Sequence, residues 1–397
     1  MLLIGSGLLI RSFLKMQGAD LGCDPTGLLT FEISFPALQY GKFGPAYKGV
    51  PLWEISPIPA AKLQQVFDRV QAVPGVQSAG AMVLAPMTFT PETPFEIVGR
   101  PATPSEELSA LYYPITPNFF QTMKILMVRG PDFTMHDTVS SPWVMIVNET
   151  MARRFWPNEN PIGKRVKVDL APEDQPREIV AVVHDTPSNP QQKAQQPAIY
   201  VPFFQDGPHT IGTMNFLRFQ LTFLLRTSGN PMSLLSAVRR AVAGIDPNVP
   251  LANPSTMEDV LGDEVQYPRY YSMLLGLFAF VATVLAAVGI YGVMAYAVEQ
   301  RTREIGIRMA LGAGGWQVLR LVIHQAIWMI AAGLVLGVAG ALALTRFISS
   351  ELWEVQATDP ATFAGVSLLL IAVALLACLV PTRRAVQVDP TIALRYE

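Results

Sequence analysis

The stretch Tyr271-Ser-Met-Leu-Leu-Gly-Leu-Phe-Ala-Phe-Val-Ala-Thr-Val-Leu-Ala-Ala-Val-Gly-Ile-Tyr-Gly-Val-Met-Ala-Tyr-Ala-Val298 decides how the chain is read; Glu299-Gln-Arg-Thr-Arg-Glu-Ile-Gly-Ile-Arg-Met-Ala-Leu-Gly312 follows at once. No residue from Tyr271 to Val298 is charged. At about 1.5 Å per residue a helix of that length reaches roughly 40 Å, against a hydrocarbon core of about 30 Å. A membrane span therefore feeds a short basic hinge. If Glu299–Gly312 is helical, Arg301, Glu304 and Arg308 share one stripe beside Ile305 and Met309, and such a short amphipathic helix suits docking into a groove of a cytoplasmic partner.

Outward from that stretch the pattern repeats. Half of the residues are hydrophobic and 15% are charged, too apolar a balance for an ordinary soluble chain of 397 residues. Leu321–Thr345, with His324 neutral, and Ala361–Val380 are further uncharged runs long enough to span. Arg301, Arg303, Arg308 and Arg320 lie between the first two runs, and Arg383, Arg384 and Arg395 follow the third. The connector from Arg346 to Pro360 carries one arginine against Glu351, Glu354 and Asp359. The positive-inside rule puts the arginine-rich segments in the cytoplasm and the large preceding domain outside. Arg11 and Lys15 argue weakly the other way. Met1–Ile10 is apolar but too short to cross; with 11–17 included it reads as the outer end of a longer helix, the alternative being a membrane-surface helix. Gly333, Gly337 and Ala341 recur every fourth residue, a spacing that favours close helix packing in lipid.

The intervening region of about 250 residues suffices for its own core. Leu29, Phe31, Ile33 and Phe35 alternate with polar residues, predicting a strand. Gly- and Pro-rich 40–59 predicts a loop, and Leu63, Val66, Phe67 and Val70 predict a helix ended by Pro74-Gly75. Strands are expected at 76–84 and 95–98. A similar unit recurs late: a strand at 216–226, a helix opened by Asn230-Pro231 and lined by Leu234, Leu235, Val238 and Val242, and a stop at Asp246-Pro247. The recurrence predicts a duplicated α/β fold. Between the two units, 112–199 has more β character, with a capped helix start at Thr116-Pro-Asn-Phe-Phe120 and short strands at 144–147, 165–168 and 178–183.

Little here supports chemistry. Gly163-Lys164 lacks the earlier glycine of a phosphate loop. His136, His184, His209 and His324 are scattered, and Cys23 and Cys378 are too few for a metal site or disulfide framework. Nothing predicts a catalytic residue, a metal or a cofactor. The formal net charge of −2 gives no footprint for nucleic acid. The expected runs are also poor in polar residues, which argues against a solute path through this chain alone.

Arg301-Thr-Arg-Glu-Ile-Gly-Ile-Arg-Met-Ala-Leu-Gly-Ala313 resembles the cytoplasmic loop of FtsX-like, MacB-like ABC transporter permeases. Ala279–Tyr296, Thr358-Asp-Pro360 and the tail from Pro381 to Glu397 share the resemblance. Ile146-Val-Asn-Glu-Thr-Met-Ala-Arg-Arg-Phe-Trp-Pro157 and Pro161-Ile-Gly-Lys-Arg165 are similar to that family's periplasmic core. The match is nearest to the second half of large acidobacterial-type two-unit permeases. It implies an α+β membrane protein: a partial first helix at 1–18, a periplasmic core at 19–270 and a permease domain at 271–397. The core would divide into a porter-like part, 19–110 and 200–270, and a β-rich insertion, 111–199. Spans would lie near 271–298, 321–345 and 361–380.

The resemblance further implies a non-enzymatic permease subunit in the bacterial inner membrane, serving efflux or mechanotransmission. Its partners would be a cytoplasmic ABC ATPase, membrane lipid, a second permease unit or second copy, and a periplasmic adaptor. Arg301, Arg303, Glu304, Gly306 and Arg308 would contact the ATPase. The rival expectation is a membrane-anchored envelope scaffold or sensor regulating a periplasmic partner.

Overall fold

Two alternating strands and two helices build the first core. The computed structural model describes residues 2–17, 21–83, 90, 92–100, 108–168, 170–187, 195–205, 207, 209–211, 219–300, 327–328, 331–344 and 358–386. Up to the barrel its elements are α1 (Leu2–Gln17), β1 (Leu28–Ser34), α2 (Ala37–Tyr40), β2 (Gly41–Tyr47), β3 (Val50–Ile55), α3 (Ile58–Gln71), β4 (Val76–Met82), β5 (Glu92–Ile97) and β6 (Ser109–Ile115). Then come α4 (Phe119–Met123), β7 (Met127–Arg129), β8 (Val144–Asn148), α5 (Glu149–Phe155), β9 (Arg165–Val168), β10 (Arg177–Val183) and β11 (Ala198–Pro202). The rest are β12 (His209–Ile211), β13 (Gln220–Thr227), α6 (Leu235–Ala243), β14 (Leu251–Thr256), α7 (Met257–Gln300), α8 (Ala331–Leu344) and α9 (Pro360–Val386). They form two compact units, 20–265 and 1–19 with 266–397.

In the first unit the sheet order β4-β13-β1-β14 interleaves two βαβ halves. β13 lies between β1 and β4, and β1 lies between β13 and β14, with every neighbour antiparallel. Alternation sends Phe31 and Phe223, paired in register and stacked at 5.2 Å, into a core with Leu63, Phe67, Val238 and Val242 of α3 and α6. Burial of each such side chain contributes about 1.5–3 kcal/mol. The opposite face, including Leu28 and Leu224, enters a second core shared with α4.

That second core also takes the outer wall of a closed barrel. β5 pairs with β6 and β9, β9 with β10, β10 with β8, β8 with β11, and β11 with β6, completing a ring of six strands. Phe95, Met145, Val166, Ile179 and Ile199 fill it together with Phe155 of α5. The ring starts at β5, upstream of the β-rich insertion expected from 111, because β5 and β6 pair with the later strands.

Two local expectations are corrected. The predicted loop over 40–59 holds the hairpin β2–β3, turned at Lys48 (φ 50°) and Gly49 (φ 78°), and β12 adds a third strand. Composition hid it: Gly41 sits in a strand because a Cβ there would lie 2.7 Å from the Trp53 ring, and Phe43 packs on that ring at 4.4 Å. At α4, Asn118 occupies the N-cap with φ 65° and makes no side-chain cap. Thr116 Oγ1 instead accepts from Ala81 N at 2.7 Å, tying the helix entry to β4.

In the helical unit, Met273–Tyr296 and Pro360–Ala377 are long and apolar enough to cross a membrane. Of the expected span 321–345, residues 327–328 and 331–344 are described and helical, and the rest lies outside the described residues.

Candidate coupling site and helix bundle

The hinge expected to carry coupling is reached through α7, which ends at the exposed pair Glu299 and Gln300; Gln300 Nε2 donates to the Tyr296 hydroxyl at 2.8 Å. Arg301, Arg303, Glu304, Gly306 and Arg308 lie outside the described residues. Of the small-residue series, Ala341 is buried against Ile4 and Leu8 of α1. A Cβ placed on Gly333 or Gly337 meets nothing within 4 Å among the described residues.

Ile4, Leu8, Ala279, Met294, Ala341 and Ala374 are buried, whereas Met273, Phe280, Leu336 and Leu368 are exposed. On α1, a Cβ at Gly7 would stand 3.0 Å from Thr362 Cγ2 and 3.6 Å from Val366 Cγ2 of α9. Four residues further along α1, Arg11 pairs with Asp359. The Asp359 carboxylate also accepts from Thr362 N at 2.9 Å and Thr362 Oγ1 at 2.6 Å.

In the other unit, the motif from Ile146 to Pro157 proves to be a barrel clamp. Asn148, 1% exposed, uses Oδ1 to accept from Met151 N and Ala198 N, each at 2.9 Å, and donates through Nδ2 to Gln196 O at 2.8 Å. It thereby caps α5 and fixes β11. Asp185 accepts from Thr150 N and Oγ1, each at 2.8 Å, and from Arg153 Nη2 at 2.6 Å. His184 pairs with Glu149 at 2.8 Å. These groups satisfy one another through hydrogen bonds and ion pairs.

Reading the sequence missed a second junction. Arg226, nearly buried, donates to the carbonyls of Thr122, Thr26 and Asp24 at 2.7, 2.8 and 2.6 Å. Burial lowers its pKa, opposed by Asp24. The hydrogen bond from Lys124 at 2.6 Å, followed by that from Thr26, holds the Asp24 carboxyl far below the usual carboxylate range. An isolated strand arginine gives no sequence signal that its acceptors are main-chain carbonyls distant along the chain. Nearby, Cys23, Met82, Phe119, Met123 and the stacked pair Tyr113 and Tyr200 line a cavity of about 30 Å³. Burial pushes the Tyr113 hydroxyl up to about 12 and raises Tyr200 as well, so both walls stay uncharged. Among the described residues no group of His, Cys, Asp and Glu is placed to hold a metal.

The described residues thus hold an α/β lobe, a closed six-stranded barrel and apolar helices. Residues 29–241 match the MacB-like periplasmic core domain and residues 276–390 the FtsX-like permease C-terminal domain. The chain belongs to this ABC transporter permease family. It is 26% identical over 275 residues to the macrolide export ATP-binding/permease protein MacB of Marinobacter nauticus, covering 68% of this chain and 41% of that protein. To the uncharacterized ABC transporter permease YknZ of Bacillus subtilis it is 25% identical over 299 residues, covering 74% and 71%. The chain thus spans about two fifths of the MacB relative's length. The periplasmic region of MacB from Actinobacillus actinomycetemcomitans aligns with a TM-score of 0.38 and 14% identity, over 62% of this chain and 95% of that one.

Proposed function

We propose that this chain is the permease subunit of an ABC-type complex and couples a separate cytoplasmic ATPase to its extracytoplasmic head for efflux or mechanotransmission. The observation that carries this reading is the presence of both family regions on one polypeptide. The exposure of large apolar side chains on α7 and α9 supports a lipid setting. In this reading ATP hydrolysis belongs to a partner, and the MacB relative's name joins ATP binding and export.

In this reading 19–270 is the head, with a porter-like part and a β-rich insertion, and 271–397 is the permease domain with spans near 271–298, 321–345 and 361–380. The apolar helix α1, Leu2–Gln17, precedes the head in the chain. The hinge 299–312 lies in the cytoplasm, where Arg301, Arg303, Glu304, Gly306 and Arg308 meet the ATPase. A second unit or second copy completes the assembly, and a periplasmic adaptor is a further partner. The test is capture of the cognate ATPase from membranes by the tagged full chain. Arg301→Glu or Arg308→Glu should abolish capture while membrane insertion persists; undiminished capture refutes the assignment.

A further inference from the structure

We propose that Arg11 and Asp359 form a polar clasp that holds α1 antiparallel on α9 in a single register, and that Asp359 is what allows a cation at that end of α1. Residue numbers run in opposite senses across the contact: Gly7 faces Thr362 and Val366, and Arg11 meets Asp359. A Cβ at Gly7 would press on Thr362 closer than ordinary van der Waals contact, so glycine there lets the two helix backbones come this near. Such close approach is a basis of helix pairing in lipid, but small residues and dispersion alone specify register weakly.

The charge pair supplies what packing lacks. Asp359 is already held by two bonds from Thr362, which cap α9. Arg11 therefore meets a preset acceptor, and less side-chain entropy is lost in forming the bond. The Asp359 side chain is 16% exposed and that of Arg11 43%, so solvent screens one partner more than the other.

The pair also resolves an inconsistency in charge. By counting alone, Arg11 opposes a topology in which the head lies across the membrane from the arginine-rich hinge. Joined to Asp359, it adds little net positive charge at that end. This inference rests on α1 and α9 being membrane helices, as in the function proposed above.

The experiment uses the full chain in membranes, with Cys23→Ser and Cys378→Ser, and with Leu8→Cys and Val366→Cys joined by a short bis-maleimide. Arg11→Lys should retain the cross-linking yield, whereas Arg11→Gln should lower it about fivefold, the upper range for a partly exposed pair. Asp359→Asn keeps an acceptor for the cap but strands the guanidinium, so it should fall at least as far. Combining Arg11→Gln with Asp359→Asn should recover yield above the Asp359→Asn single variant. An Arg11→Gln yield equal to wild type, or a double variant no better than Asp359→Asn, overturns the clasp. Release of the unaltered chain by alkaline carbonate instead overturns the membrane reading, and with it the topological part of the proposal.

Discussion

Removing the Asn148 carboxamide tests whether one side chain keeps the barrel closed. Asn148→Ala deletes the two bonds accepted from Met151 N and Ala198 N and the one donated to Gln196 O. Met151 and Ala198 are buried, so water does not readily replace the lost acceptor. A buried polar group left unpaired costs about 1–3 kcal/mol, and loss of a helix cap about 0.5–2 kcal/mol. Since the cap is one of the two lost acceptances, the combined cost is about 3 kcal/mol. For a unit of this size each kcal/mol lowers Tm by about 2–4 °C, so the expected drop is about 6–12 °C. Asn148→Asp retains both accepting interactions and should fall between Ala and wild type. Near-UV circular dichroism of the purified full chain, scanned with temperature, reads the transition. A Tm for Asn148→Ala within about 2 °C of wild type, with Asp no better than Ala, would refute the reasoning.

Gly80→Ala would put a Cβ 2.7 Å from Phe119 Cα and force α4 away from β4; Gly229→Ala meets nothing within 4 Å. Urea unfolding should show the first variant about 1–3 kcal/mol less stable and the second close to wild type. Asp24 has a depressed folded-state pKa, so its stabilising effect is present above the unfolded carboxylate range and is lost as pH falls through the folded value. Lys124→Met should therefore reduce the difference in melting temperature between pH 6 and pH 3. The effect is below about 1 kcal/mol because Lys124 is largely exposed.

Local pattern identified α3 and most individual strands because apolar spacing is a property of a short window. Leu63, Val66, Phe67 and Val70 lie inward as their spacing predicts, and Asn230 accepts from Met232 N as a cap should. The hairpin at 41–55 is not legible in the sequence, since its glycines and its prolines Pro45 and Pro51 resemble loop composition while ring packing between Phe43 and Trp53 favours a strand pair. Barrel closure was equally hidden. The pairing of β6 with β11 joins residues far apart in sequence, and nothing in either strand names its mate. At the candidate site, the charged hinge stands out by composition, but Arg226, the Arg11–Asp359 pair and the bonds of Asn148 to Gln196 and Ala198 depend on partners that no local window contains.

The interleaving of the first unit bears on synthesis. β1 finds both of its neighbours only when β13 and β14 have been made, and the six-stranded ring stays open until β11 arrives. A nascent chain stopped before Ala198 therefore presents unpaired strand edges, the surfaces on which polypeptides aggregate. Completion of the fold must wait until translation has nearly reached α7, making shielding of the emerging chain a requirement set by topology.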